Sequence, residues 1–297
     1  MKRGSSHLID PELLGRLATA TIKMRRRVEG HMTGRHRSPH QGASVEFSQY
    51  REYVPGDDIR HVDWKAYARS DRYYIKQFED ETNLRAHLIL DSSGSMGFSH
   101  QGRETKFRYA CKLAAAMAWC FLRQGDAVGL IAYSHRMEKH VAPSTQANHF
   151  WSLVDHLTAL SPQGETSLVG ALLRVAELAG RRSQVIILSD CLDFDQRFTG
   201  LARQLTHRAH EVTVLHILDR AEIEFPYQDV TRFEGMEEED TLTVDPRAMR
   251  REYLTAIEKW REGLRIELRE GRVNYVPVTT DQSIEKVIYG WLGDHHQ

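Results

Sequence analysis

Apolar residues recur along this chain with two different rhythms, and the change between them divides it. In the first stretch Leu13, Leu17, Thr21, Met24 and Val28 return at helical spacing, which predicts a helix with one docked face. Asp10 and Pro11 supply its start signal, as N-cap and first helical residue. Residues 30–45 lose periodicity and hold Gly34, Ser38, Pro39 and Gly42, the composition of a loop. Residues 46–82 mix aromatic and charged side chains around a turn signal at Pro55-Gly56-Asp57.

From residue 85 short apolar runs at about 86–90, 127–133, 185–189 and 212–217 alternate with helical patterns at about 103–124, 146–159, 168–180 and 195–208. That alternation predicts strand-helix-strand units around a parallel sheet, an α/β fold. A run at 137–141, close behind 127–133, reads as an edge strand in a hairpin. Residues 220–245 interrupt the rhythm with an acidic, hairpin-like excursion. A long helix at about 246–270, a strand at about 273–278 and a last helix at about 281–292 resume it. The expected organisation is an N-terminal extension over 1–84 and an α/β domain over 85–297. No internal repeat or low-complexity tract is visible.

Composition narrows the class. A chain of 297 residues buries roughly three-quarters of its unfolded surface, so its core needs no disulfide or metal staple. The formal charge of −1 makes no global case for nucleic acid. Charge is uneven, however: residues 1–40 hold nine Lys/Arg against three Asp/Glu, and residues 222–240 hold eight acids and one Arg. The basic run Arg25-Arg26-Arg27 suits the last turn of the first helix, with a nucleic-acid or acidic-lipid patch as the alternative. The acidic run Glu237-Glu238-Glu239-Asp240 reads as a solvated loop tip. Cys111, Cys120 and Cys191 form no CxxC pair, which fits a reducing cytoplasm. The longest apolar run, Leu113 to Leu122, is too short to span a membrane, and the N-terminus has no signal-peptide hydrophobic region. The expectation is a cytoplasmic protein without a membrane segment.

The chemistry concentrates in Asp91-Ser92-Ser93-Gly94-Ser95-Met96, directly after Leu88-Ile89-Leu90. One carboxylate and two hydroxyls at alternate positions stand where a buried strand leaves its sheet. Hard oxygen donors of that kind suit a small divalent cation, Mg²⁺ or Mn²⁺. The same residues could simply cap the following helix. Two further segments end with oxygen-bearing side chains: Gly164-Glu165-Thr166-Ser167 before a helix, and Asp190 at the close of Val185-Ile186-Ile187-Leu188-Ser189. Ser167 competes with Thr166, and Asp193 and Asp195 compete with Asp190, although Asp195 reads better as a helix cap. Gly94-Ser95-Met96-Gly97 falls short of a nucleophile elbow, because position 93 is Ser rather than Gly.

With these segments the chain resembles the von Willebrand factor A fold and its metal-ion-dependent adhesion site, which combines Asp-x-Ser-x-Ser with a distant Thr and Asp. The resemblance implies Ser93, Ser95 and Thr166 as direct ligands, with Asp91 and Asp190 acting largely through bound waters. Neutral hydroxyls would leave the ion able to take an acidic group from a partner.

A second signature precedes the sheet: Glu46-Phe47, Tyr50-Arg51-Glu52-Tyr53-Val54-Pro55-Gly56-Asp57-Asp58-Ile59-Arg60-His61-Val62-Asp63-Trp64 and Ala68-Arg69. This stretch, within about 34–84, resembles the bacterial domain-of-unknown-function-58 family, which carries it ahead of a von Willebrand factor A-like domain. Interleaved Arg, Asp and aromatic residues there predict an ion-paired aromatic platform packed on the sheet domain, with a partner-binding surface as the alternative. Many members of that family begin with two membrane-spanning helices; this chain is similar to the shorter, soluble subgroup. The resemblance implies a non-enzymatic adaptor that acts with a MoxR-type AAA+ ATPase in client or complex maturation, capturing an acidic residue of the ATPase or client. The alternative is a nucleic-acid-binding protein acting through its basic N-terminus.

Overall fold

The first helix, α1 (Pro11–Arg16), starts where the sequence places it: Asp10 caps it, accepting the Glu12 amide at 2.9 Å. It does not run on to Val28. After Arg16 the chain tightens into a single 3₁₀ turn, Leu17–Thr19, and Ala20 is extended. Two forces end it. Thr19, Thr21 and Ile22 are β-branched, which disfavours helix, and the Gln124 side chain brackets Ile22, accepting its amide and donating to its carbonyl. Leu17, Ala20 and Ile22 are buried by this arrangement.

The computed structural model describes residues 8–22, 45–54, 62–70, 72–80, 84–180, 182–236 and 241–294. Arg25–Arg27, His31, His36, His40, the turn at Pro55-Gly56-Asp57, Asp58, Arg60, Glu237–Asp240, His295 and His296 lie outside those residues, as does the Arg51 side chain. The chain forms two compact units, one from residues 1–26 with 84–297 and one from 27–83. The first helix, grouped by sequence with the extension, is therefore part of the sheet-containing unit.

In the smaller unit β1 (Val45–Glu52) pairs antiparallel with β2 (Tyr74–Asp80), with α2 (Trp64–Ser70) between them in sequence. The Asp63 carboxylate accepts the Ala66 amide at the start of α2. Tyr67 stacks on Tyr73 at 4.4 Å, Tyr53 lies 6.2 Å from Tyr73, and Trp64 meets Tyr67 edge-on. The expected aromatic cluster is present. Among the described residues Arg72 and Glu52 form an exposed ion pair there.

The larger unit is built on β3 (Arg85–Asp91), α3 (Lys106–Arg123), β4 (Ala127–Tyr133), β5 (Met137–Ser144), α4 (His149–Ala159), α5 (Leu168–Leu178), β6 (Ser183–Ser189), α6 (Gln196–His207) and β7 (Glu211–Leu218). The acidic excursion contains α7 (Arg220–Glu224) and a two-stranded hairpin of β8 (Thr231–Phe233) and β9 (Leu242–Val244). Then α8 (Pro246–Glu270), β10 (Asn274–Thr279) and α9 (Ile284–Asp294) complete it.

The six-stranded sheet has the order β10-β7-β6-β3-β4-β5, parallel except for the antiparallel edge β5. The apolar runs are unbroken because both faces are covered. Ala86, Leu88 and Leu90 join one core with α3, α4 and α9; Ile89, Val185 and Ile187 join the other with α5, α6 and α8. A mostly parallel sheet flanked by helices, with one antiparallel edge, is the von Willebrand factor A-like arrangement that the sequence implies. No helix among the described residues is long and apolar enough to cross a membrane.

Candidate metal centre

The strand order reverses at β3 and β6: the chain leaves β3 toward β4 and returns to lay β6 on the other side. In open α/β sheets the crevice outside the carboxyl ends of such strands is the binding position. Asp91 ends β3, and Asp190 directly follows β6.

The loop after β3 is pinned to its surroundings by backbone hydrogen bonds. The Ser92 amide donates to the Tyr133 carbonyl at 2.9 Å, the Gln163 amide to Ser92 at 2.8 Å, and the Gly94 amide to Gly164 at 2.7 Å. Gly164 has φ +70°, a left-handed conformation that glycine adopts without Cβ strain. These bonds lay the 162–166 loop against the Asp-x-Ser-x-Ser loop and deliver Thr166 to the site.

Asp91 is the hub. Its Oδ1 accepts the Ser93 amide at 3.0 Å and the Thr166 hydroxyl at 3.1 Å, and its Oδ2 accepts the Ser189 hydroxyl at 2.6 Å. Ser93 Oγ and Ser95 Oγ lie 3.1 Å apart. Ser167 is engaged elsewhere: it caps α5 and accepts the Gly170 amide at 3.2 Å. Of the two competing hydroxyls, Thr166 is the one that faces Asp91. Asp195 caps α6, as its sequence context implies, while Asp190 is wholly buried at the strand end.

Asp190 has partners that sequence reasoning missed. Its Oδ2 accepts from Lys106 Nζ at 2.8 Å, and the same ammonium donates to Glu222 Oε1 at 2.7 Å. The Asp190 carbonyl accepts from His216 Nε2 at 3.0 Å, and His216 Nδ1 accepts from the Tyr275 hydroxyl at 2.8 Å. Glu222 Oε2 in turn accepts the Asp219 amide, closing a capping box at the start of α7. A signal for Lys106 was present in the sequence. It stands at the first turn of α3, behind the Thr105 N-cap, where the helix dipole disfavours a cation, so a lysine there calls for a carboxylate partner.

Burial and like charge set the electrostatics. Desolvation, and then the neighbouring Asp190, push the Asp91 carboxyl up to about 6, against the opposing hydrogen bonds from Ser189 and Ser93. Burial also opposes the Lys106 charge, but Asp190 and Glu222 outweigh it and hold the ammonium above its ordinary value. Burial raises Glu222, with Lys106 pulling the other way. Burial drives His216 down to about 4, which keeps it neutral. Asp190 and Glu222 share the Lys106 ammonium, while Asp91 beside them is held by two hydroxyls and an amide.

This donor set fits a small dication. Octahedral Mg²⁺ with ligands at about 2.0–2.1 Å places adjacent oxygens about 3.0 Å apart, and the Ser93–Ser95 separation is 3.1 Å. Among the described residues no group of three or more His, Cys, Asp or Glu side chains is placed to hold a metal, so the oxygen set at this crevice is hydroxyl-rich rather than of the zinc type. A polar cavity of about 360 Å³ opens beside it, with Ser95, Lys106 and Glu222 in its wall.

A model of the family described as "Protein of unknown function DUF58" matches residues 49–263. The chain is 27% identical over 223 residues to the uncharacterized proteins Rv1480 of Mycobacterium tuberculosis and Mb1516 of Mycobacterium bovis, covering 73% of this chain and 68% of each relative. Among solved structures it is similar to the conserved hypothetical protein BatB from Bacteroides thetaiotaomicron, at 15% identity and a TM-score of 0.49, covering 72% of this chain and 98% of that one. The SpRpn10 VWA domain is similar at 9% identity and a TM-score of 0.41, over 71% of this chain and 95% of that one.

Proposed function

Because the chain belongs to the family described as "Protein of unknown function DUF58", whose domain here is von Willebrand factor A-like, we propose that it is a protein-interaction adaptor working through a metal-ion-dependent adhesion site. Ser93, Ser95 and Thr166 would hold Mg²⁺ or Mn²⁺ directly, and Asp91 and Asp190 through water and hydrogen bonds. When bound, the ion supplies an electron-poor position for one oxygen of a partner's Asp or Glu. The residues around it do the rest. Ser189 and the Ser93 amide fix the Asp91 carboxylate, and Lys106 fixes Asp190. The family resemblance points to a MoxR-type AAA+ ATPase, or a client delivered to it, as the bearer of that carboxylate.

The observation that carries the reading is the meeting of Thr166 and Asp91 across 75 residues of sequence, beside the Ser93–Ser95 pair. The test is capture of the ATPase by wild type and Asp91→Ala, with and without EDTA. Capture by wild type alone, and only without EDTA, is the expected result; equal capture in all four conditions rejects the metal bridge. Thermal unfolding gives an independent readout, since metal at a hundred times its dissociation constant adds about 2.7 kcal/mol to the native state. Mg²⁺ or Mn²⁺ is expected to raise the melting temperature of wild type and to leave Ser95→Ala unshifted.

A further inference from the structure

A second cavity adjoins the candidate metal centre. It measures about 240 Å³ and is walled by Phe225, Tyr227, Phe233, Leu242 and Tyr253, with Phe98 at one side. Phe98 and Glu222 also line the polar cavity beside Ser95, so the two spaces share a wall. Phe98 follows Ser95 by three residues, and its ring centroid lies 5.8 Å from the Lys106 Nζ that holds Asp190.

The aromatic walls are held in place. Phe225 stacks on Tyr253 at 4.3 Å and on Phe233 at 5.9 Å, and meets Tyr227 edge-on at 5.1 Å. Its backbone has φ +47°, a left-handed conformation that costs a residue with a Cβ about 1–2 kcal/mol. The Phe225 amide bonded to Ala221 at 2.9 Å and the buried ring keep it there. Strain at the end of α7 thus sets the ring that the cavity is built around.

Size and charge define the occupant. The space is smaller than the roughly 300–1,000 Å³ of small-molecule pockets and suits one aromatic or large aliphatic side chain. The run Glu237-Glu238-Glu239-Asp240, between β8 and β9 in the sequence, is all carboxylate and chemically unsuited to an apolar cavity. Asp193, Glu222 and Glu234 line the polar cavity with Lys106 as the cation among them, and Asp91 and Asp190 lie in the crevice it adjoins. A dication and one coordinating carboxylate are compatible with that field; further acids on the partner are repelled and basic flanks are favoured.

We propose that this surface reads a partner segment carrying a single Asp or Glu and, one to three residues away, an aromatic or large aliphatic side chain that enters the Phe225–Phe233–Tyr253 cavity. The inference rests on the metal-mediated reading above. An extended chain advances about 3.3 Å per residue, and Phe98 and Glu222 form the wall that the two spaces share.

Short random peptides displayed on phage, selected on the full chain in Mg²⁺ and eluted with EDTA, test it. Enriched peptides are expected to hold one acid at a fixed short spacing from an aromatic or large aliphatic residue, with basic rather than acidic neighbours. In the synthetic consensus peptide, replacing the apolar residue by Ala weakens binding about ten- to a hundredfold. Leu242 is 56% exposed, so Leu242→Glu leaves the fold intact; it removes that preference while binding stays EDTA-sensitive. Enriched peptides with an acid but no spaced apolar residue, or unchanged binding by Leu242→Glu, overturn the cavity's role and leave the metal reading standing. Enrichment that EDTA does not elute overturns the metal reading itself, and no enrichment overturns both.

Discussion

The Lys106 ammonium lies 2.8 Å from the Asp190 carboxylate, and both side chains are almost wholly enclosed. The pair ties the first turn of α3 to the end of β6, and through Glu222 it also ties both to α7. One buried cation therefore joins the candidate metal centre to the base of the excursion that carries the aromatic cavity.

Lys106→Met removes the cation and leaves Asp190 and Glu222 buried without it. Breaking a buried pair from one side typically costs about 3–5 kcal/mol. The expected loss of that size is read from urea denaturation of wild type and variant. Adding Glu222→Gln to Lys106→Met removes one of the stranded charges, so the double variant recovers part of the loss. A variant as stable as wild type would mean that the pair contributes nothing net.

His87 is expected to set part of the acid sensitivity. It is buried on β3, and its Nε2 has no hydrogen-bond partner among the described residues. Burial, with His210, His140 and Arg85 adding to it, lowers its pKa from 6.5 to about 4. Between those values the unfolded chain binds a proton at this position and the native chain does not, so stability rises with pH across the window. The contribution is complete above pH 6.5 and falls away toward pH 4, by up to about 3 kcal/mol. His87→Gln is expected to flatten the urea midpoint between pH 7 and pH 5 relative to wild type. The same pH dependence in both proteins would place the sensitivity elsewhere.

Two glycines respond oppositely to alanine. A Cβ at Gly129 on β4 would lie 2.7 Å from the Val141 carbonyl and 2.8 Å from the Pro143 nitrogen. Those are backbone atoms of the neighbouring strand, so Gly129→Ala destabilises by about 1–3 kcal/mol. Gly200 lies on the exposed side of α6 with nothing near its missing Cβ, and Gly200→Ala stabilises by about 1 kcal/mol through helix propensity. Thermal melts of the two variants are expected to move in opposite directions.

The alternation of apolar runs placed the strands and helices beyond residue 85 because each run must bury both faces of a parallel sheet, a local pattern with no competing reading. The long helix appears as expected, at Pro246–Glu270. The first helix shows where locality fails. Its apolar spacing continues past Arg16, yet Gln124, more than a hundred residues away, captures the backbone of Ile22 and draws it into extended form. The strands β1 and β2 were also not legible, since their pairing depends on partners across the signature segment rather than on a two-residue alternation.

By itself the sequence determined which oxygen-bearing residues stand at strand and helix ends, because the motif is short and its spacing is set by the chain. It also carried the family. Only the tertiary structure decided that Thr166 rather than Ser167 meets Asp91, since one hydroxyl caps α5 while the other is turned inward by the Gly94–Gly164 hydrogen bond. Only the fold brings Lys106, Asp190 and Glu222 together. Charges from α3, the end of β6 and α7 meet there because buried carboxylates must find a cation wherever the packing of the sheet places one.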